Sequence, residues 1–197
     1  MRELSLHILD IVENGVAAGA DFIRITVDEA RRDDRITITI TDNGRGIPAE
    51  KIDRLTDPFI TLRPTRRVGL GLPLLSAAAQ RCDGALDVSS KAGDGTRVQA
   101  VFRYSHIDRA PMGDMAATIT TLIMGNPGID FVYRHIIDGR EFTLDTRGLK
   151  EELGENGLQD ALLIHHLAHN IRGRLKQLTT KIGESEAREK NHGKTDD

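Results

Sequence analysis

Asp42-Asn43-Gly44-Arg45-Gly46-Ile47-Pro48 directly follows RITITIT, residues 35–41. A run of alternating β-branched residues reads as a half-buried strand, and Gly and Pro end it at once. The strand therefore delivers a carboxylate, Asp42, to its own end. A carboxylate there can accept a hydrogen bond from an exocyclic amine, and the glycines let backbone approach a flat ring closely. On its own the stretch is equally a glycine-rich turn, since Asp-Asn-Gly is good turn chemistry.

Working outward, FIRITVDE (22–29) alternates in the same way, and ARRDD (30–34) links it to RITITIT. The pair predicts an antiparallel hairpin. Ahead of it, Leu4, Ile8, Ile11, Val12 and Val16 recur at helical steps, with Gly19 as the stop. Asp10 and Asn14 stand four apart on that helix and share a face. A carboxylate and an amide so placed could hold magnesium and orient a water, although most amphipathic helices carry polar pairs at this spacing.

Downstream, residues 49–68 predict a short helix and a mobile loop. Leu70–Cys82 predicts a helix with Pro73 in its first turn and Gly84 as its end. Gly69-Leu70-Gly71-Leu72 opens this helix, where free N–H groups bind phosphate; Arg63, Arg66 and Arg67 lie just upstream as candidate lid charges. The glycines do not form the dinucleotide fingerprint, and a loop rather than a strand precedes them. ALDVSS (85–90) and TRVQAVFRY (96–104) then predict two strands joined by KAGDG (91–95), with Thr96 directly after the turn.

Composition narrows the class without naming it. The chain has 197 residues, enough for one domain with a modest addition. It has no Trp, 2 Tyr and 5 Phe, so its core must be aliphatic. A net charge of −3 gives no reason to expect nucleic-acid binding. One cysteine, Cys82, excludes an intrachain disulfide and a four-cysteine metal site, and it reads as a helix-end core residue. No apolar run approaches the ~18–20 residues a membrane span needs. The first residues, with Asp10 and Glu13 inside the apolar stretch, do not read as a signal peptide. The expectation is a cytoplasmic protein without a membrane or nucleic-acid partner.

The order and spacing of four segments, LDIVENGVAAGAD, DNGRGIP, RVGLGLPLL and GDGTRVQAVF, resemble the GHKL ATPases: gyrase B, MutL, the ninety-kilodalton heat-shock chaperone and the sensor histidine kinases. The first is similar to the family's N-box, the second to its G1 box, the third to its G2 box, the fourth to its final Thr-bearing strand. PFITLRP (58–64) resembles the segment before the lid in histidine kinases. The resemblance covers residues 1–104. It implies a two-layer α/β sandwich that binds ATP and magnesium. Asn14 would then ligate the metal, Asp42 would accept from the adenine amine, and Gly44 and Gly46 would shape the base pocket. Gly69 and Gly71 would contact phosphate, with Arg63 and Arg66 on the lid, and Thr96 would support Asp42 through water. Asp10 falls where hydrolysing members carry a glutamate base. It is one methylene shorter, which suits a kinase, where the acceptor side chain is the nucleophile. The strand that often precedes the N-box helix is not in this sequence, which suggests a trimmed domain.

A second unit, 105–182, is expected as a small α+β appendage. It comprises a helix over 112–124, a hairpin centred on Asp138-Gly139, a short helix and a long one over 158–182. Residues 183–197 are charged and read as a disordered tail. In the long helix, His169-Asn170-Ile171-Arg172 with Leu175 resembles a histidine-kinase H-box in which Asn replaces the acidic residue. Three readings compete for His165, His166 and His169: a solvated helix face, two ligands of a metal site, or a phosphoacceptor at His169. The apolar stripe could serve a homodimer or another protein partner. Function is expected as phosphotransfer from Mg-ATP to a protein, of histidine-kinase or anti-sigma serine-kinase type. The alternatives are a slow ATPase switch with Asp10 as base, and a non-catalytic nucleotide sensor.

Overall fold

The computed structural model describes residues 3–48, 71–154 and 157–192, as backbone alone beyond residue 180. Helix α1 runs Leu4–Ala17. Leu4, Ile8, Ile11 and Val12 form its buried face. Gly19 ends it at φ +78°, and the Ala20 N–H donates to the Gly15 carbonyl at 3.1 Å. This left-handed exit is cheap only for glycine.

Strands β1 (Phe22–Ala30) and β2 (Arg35–Asp42) pair antiparallel, as the alternation predicts. Helix α2 is Gly71–Gln80; β3 (Ala85–Lys91) and β4 (Gly95–Arg103) form the second hairpin, and β4 also pairs with β2. Then follow α3 (Met115–Gly125), β5 (Asp130–Ile137), β6 (Arg140–Asp145), α4 (Thr146–Leu153), a 3-10 turn (Gly157–Gln159) and α5 (Ala161–His192). The result is one six-stranded sheet of order β3-β4-β2-β1-β5-β6. Even-numbered Ile36, Ile38 and Ile40 of β2 face the same side as Ile23, Ile25 and Val27 of β1, and Val98, Ala100 and Phe102 of β4 join them. That face packs against the helices. Thr37, Thr39 and Thr41 line the other face, which stays partly open. The expected two-layer α/β sandwich is therefore the fold.

The packing is continuous across the expected boundary at residue 104. β5 lies parallel to β1, Ile23 opposite Phe131 and Val27 opposite His135. The N–H groups of Leu4 and Ser5 donate to Pro111 and Met112 carbonyls at 2.9 Å. The described residues between 105 and 180 thus extend the sheet and share its core. A parallel pairing between strands a hundred residues apart leaves no local trace, so sequence marks where the motifs stop and not where packing stops.

The Asp138-Gly139 hairpin forms as read: both residues have positive φ, +46° and +82°. Asp114 caps α3 by accepting from the Ala117 N–H at 3.0 Å, and it also binds the Arg172 guanidinium at 2.8 Å, tying α5 to α3. α5 continues past Gly183 to His192, into the stretch expected to be a disordered tail. Glu, Ala, Arg and Lys there are good helix formers, so a low apolar content does not stop the helix. Residues 193–197 lie outside the described residues.

A polar chain crosses the core where β1 meets β5. The Tyr133 hydroxyl lies 2.6 Å from His135 Nδ1, His135 Nε2 lies 2.9 Å from Glu29 Oε1, and the Arg31 guanidinium holds Glu29 Oε2 at 3.0 Å. Burial pushes the Tyr133 phenol well above its usual range. At Glu29 burial acts upward too, but hydrogen bonds and charge from His135 and Arg31 outweigh it, and the carboxyl sits below 4.5. A depressed folded value means stability that is present above the unfolded pKa and lost as pH falls through the folded one. Glu29→Gln should therefore cost about 3 kcal/mol at neutral pH. It should also flatten the loss of stability in the acid range. Urea titrations from pH 3 to 7 would show it; parallel curves for both proteins would refute the linkage.

Candidate functional site

The expected residues from three separate elements meet around the C-terminal half of α1. Asp42 ends β2 on the helix-covered face, directly opposite Thr96 in β4. Gly15 lets α1 lie against it: a Cβ there would fall 2.9 Å from Asp42 Cβ and 3.3 Å from Oδ2. Gly15 is one residue past Asn14, so the helix that carries Asp10 and Asn14 is pressed onto the carboxylate. Gly71, the first residue of α2, faces the same helix; a Cβ on it would lie 3.5 Å from Asp10 Cβ and 3.7 Å from Asn14 Nδ2. Asp10, Asn14, Asp42, Gly71 and Thr96 thus share one neighbourhood. Sequence reasoning missed Gly15. Its signal was a glycine inside a helix, which is tolerated only with a packing reason.

Burial is the largest influence on Asp42 and pushes its carboxyl above the ordinary 3.8, against the opposing pull of the Gly44 and Thr96 backbone N–H groups. The Gly44 N–H donates to Asp42 Oδ1 at 2.9 Å. One carboxylate oxygen is thus committed to the turn. A desolvated acceptor at a strand end invites an outside donor.

The glycines of the DNGRGIP turn serve packing between loops. A Cβ on Gly44 would sit 2.9 Å from Ala18 Cβ and 3.0 Å from Asp42 Oδ1. Gly46, at φ +66°, passes the Lys91 carbonyl so closely that a Cβ would fall 2.0 Å from its oxygen. The Gly93 N–H donates to the Arg45 carbonyl at 2.9 Å and the Arg45 N–H to Ala18 at 3.0 Å. Asn43 anchors the other side: its Oδ1 accepts from the N–H groups of Asp21 and Phe22 at 3.1 and 3.0 Å.

Thr96 lies 2.9 Å from the hydroxyl of Ser90 on β3, so Asp42, Thr96 and Ser90 form one row across three strands. Ser90 also went unread in the sequence. Only the β3–β4 register, Ser90 opposite Thr96, places it there.

Arg63, Arg66, Arg67, Gly69 and the PFITLRP segment lie outside the described residues. His165 and His169 are exposed on α5, as is His166, and no cluster of three or more metal-ligating side chains occurs among the described residues. α5 packs on α3, β5 and β6, at the other end of the sheet from β3 and β4. Cys82 is buried, and burial raises its thiol pKa, as fits a core residue. Among the described residues no helix is long and apolar enough to cross a membrane.

An α/β sandwich whose first helix, strand-end carboxylate and glycine-opened second helix converge in this way has the construction of a GHKL ATPase domain. The model of the histidine kinase-, DNA gyrase B- and HSP90-like ATPase family matches residues 2–106, and the chain belongs to that family. It is 30% identical to sporulation kinase C of Bacillus subtilis over 100 residues, 51% of this chain and 23% of that protein. It is 32% identical to the non-motile and phage-resistance protein of Caulobacter vibrioides over 128 residues, 59% of this chain and 15% of that one. The chain spans less than a quarter of the length of these relatives. Among solved structures, the N-terminal domain of a DNA repair protein matches with a TM-score of 0.55 at 16% identity, covering 80% of this chain and 59% of that one. This likeness concerns the fold.

Proposed function

We propose that the protein binds Mg-ATP at the α1–β2–α2 site and transfers the γ-phosphoryl group to a protein acceptor. The observation that carries this reading is the convergence of Asp42, Asn14 and Gly71, each from a different element, on one side of α1. The Asp42 carboxylate accepts from the adenine amine, while Gly44 and Gly46 keep the turn in the shape that leaves the carboxylate open. At Gly71 the backbone, free of a side chain, stands beside Asn14 and Asp10, which leaves room for phosphate oxygens at a helix start. The amide oxygen of Asn14 and the carboxylate of Asp10, both half-buried, form an oxygen donor set suited to magnesium. Bound there, magnesium would neutralise phosphate charge. Gly69 and the lid arginines Arg63 and Arg66 would add contacts of the same kind.

The names of the relatives, sporulation kinase C among them, support a kinase over the other family activities. The position of Asp10 beside Gly71 supports a second reading, a slow ATPase in which Asp10 activates water and the product state alters a partner contact. In a third, nucleotide binds without turnover and the protein acts as a sensor toward its partner, another protein or a second copy.

Purified protein incubated with γ-labelled ATP and magnesium separates these. Acid-labile label on the protein, lost in His169→Ala, marks self-phosphorylation at that exposed histidine. Free phosphate lost in Asp10→Ala marks the ATPase. Binding without either marks the sensor, or a kinase awaiting its acceptor. Asn14→Ala should weaken ATP binding about tenfold in magnesium and hardly at all in its absence. Unchanged affinity in magnesium would remove Asn14 from the metal site.

A further inference from the structure

We propose that Ser90 sets the base specificity of the nucleotide site by fixing the direction of the Thr96 hydroxyl. The inference rests on the reading above, that a purine lies against Asp42.

A serine hydroxyl has one hydrogen and two lone pairs. Around Ser90 Oγ three partners are within hydrogen-bonding distance. The Ile47 N–H donates to it at 2.8 Å. The Gly95 carbonyl lies 2.7 Å away, and a carbonyl only accepts, so the Ser90 hydrogen goes there. The third contact, 2.9 Å to Thr96 Oγ1, must then be made with the threonine hydrogen. Thr96 donates to Ser90 and has only lone pairs left to offer. Asp42, directly opposite Thr96 on the same face, is an acceptor as well.

The edge of the site formed by these two residues is thus acceptor-only. A base reaching it must present donors, as the 6-amino group of adenine does. The 6-oxo group of hypoxanthine or guanine places acceptor against acceptor. Without Ser90 the Thr96 hydroxyl is free to turn and donate toward an oxo group. Ser90 acts through Thr96 and not on the base, so it is a positioning residue. It lies in β3, outside the motifs of the family resemblance, and only its pairing with β4 brings it to the site.

The test is the ratio of dissociation constants for ITP and ATP, measured by competition against a fluorescent ATP analogue. The wild-type protein should favour ATP. Ser90→Ala should reduce the ITP-to-ATP ratio by about three- to tenfold, the worth of one hydrogen bond changing sense. Ser90→Thr, which keeps the hydroxyl, should restore it. A generally loosened site would weaken both nucleotides and leave the ratio alone. A wild-type protein that binds ATP and discriminates, with a Ser90→Ala ratio unchanged, overturns this inference and spares the nucleotide site. A wild-type protein that binds neither nucleotide overturns the site itself.

Discussion

Asp42→Asn is expected to weaken ATP binding by about ten- to a hundredfold, the range for losing a hydrogen bond to a charged acceptor. The same change should leave the protein as stable as before or more so. Burial holds the folded pKa of Asp42 above 3.8, so between 3.8 and that value the folded protein keeps a proton that the unfolded chain has released. Stability from this group therefore falls as pH rises through that window, and the deficit persists at pH 7. Asparagine carries no such deficit, and its amide oxygen can still accept from the Gly44 N–H. ATP affinity of the wild-type protein should itself decline as pH drops through the raised value, because the protonated acid is a poorer acceptor. Fluorescent-nucleotide titration and thermal melting of the two proteins would decide. Wild-type affinity in Asp42→Asn would detach the carboxylate from the base. A much lower melting temperature would show that the charge holds the fold, and the desolvation argument would fail.

Gly95→Ala should cost about 3–5 kcal/mol of stability. Two penalties coincide at that residue. Its φ of +87° is strained for any side chain, and a Cβ would stand 2.0 Å from the Asp42 carbonyl oxygen and 2.8 Å from Asn43 Cα. Both are backbone atoms, the first at the end of the β2–β4 ladder and the second held by the Asn43 N–H bond to the Phe22 carbonyl, so neither can move aside cheaply. Gly93, two residues earlier, has the same φ of +87° but nothing within 4 Å of a Cβ. Gly93→Ala should cost only the conformational part, about 1–2 kcal/mol. Urea denaturation of the pair isolates the steric share; equal losses would mean that the close approach at Gly95 is not what requires glycine. Because the clash falls on Asp42 itself, Gly95→Ala should also impair nucleotide binding in whatever fraction remains folded.

Most of the individual elements are legible directly. Alternating isoleucines and threonines in β1 and β2, the leucine and isoleucine spacing of α1, and the Asp-Gly turn at 138–139 are local patterns, and local backbone preference is enough to realise them. Asp10, Asn14, Asp42, Gly44, Gly46, Gly71 and Thr96 likewise stand out by motif, and the structure brings Asp10, Asn14, Asp42, Gly71 and Thr96 to one side of α1. Gly46 instead makes its close approach to the Lys91 carbonyl, at the β3–β4 turn. Arg63, Arg66 and Gly69 belong to a segment outside the described residues.

Most of the helices and strands, the three hairpins and the family of the first hundred residues therefore follow from the order of amino acids. Each is encoded within a window of a few residues, where periodicity, turn chemistry and motif order suffice. Three further features arise only from the folded chain. β5 joins β1 in parallel, which merges the expected appendage into one sheet. Gly15 presses against Asp42, and Ser90 aligns beside Thr96. The first two depend on packing between segments far apart in the chain and the third on the register of the β3–β4 hairpin, so in each the deciding energy lies in contacts between elements and not in the backbone preference of any one of them.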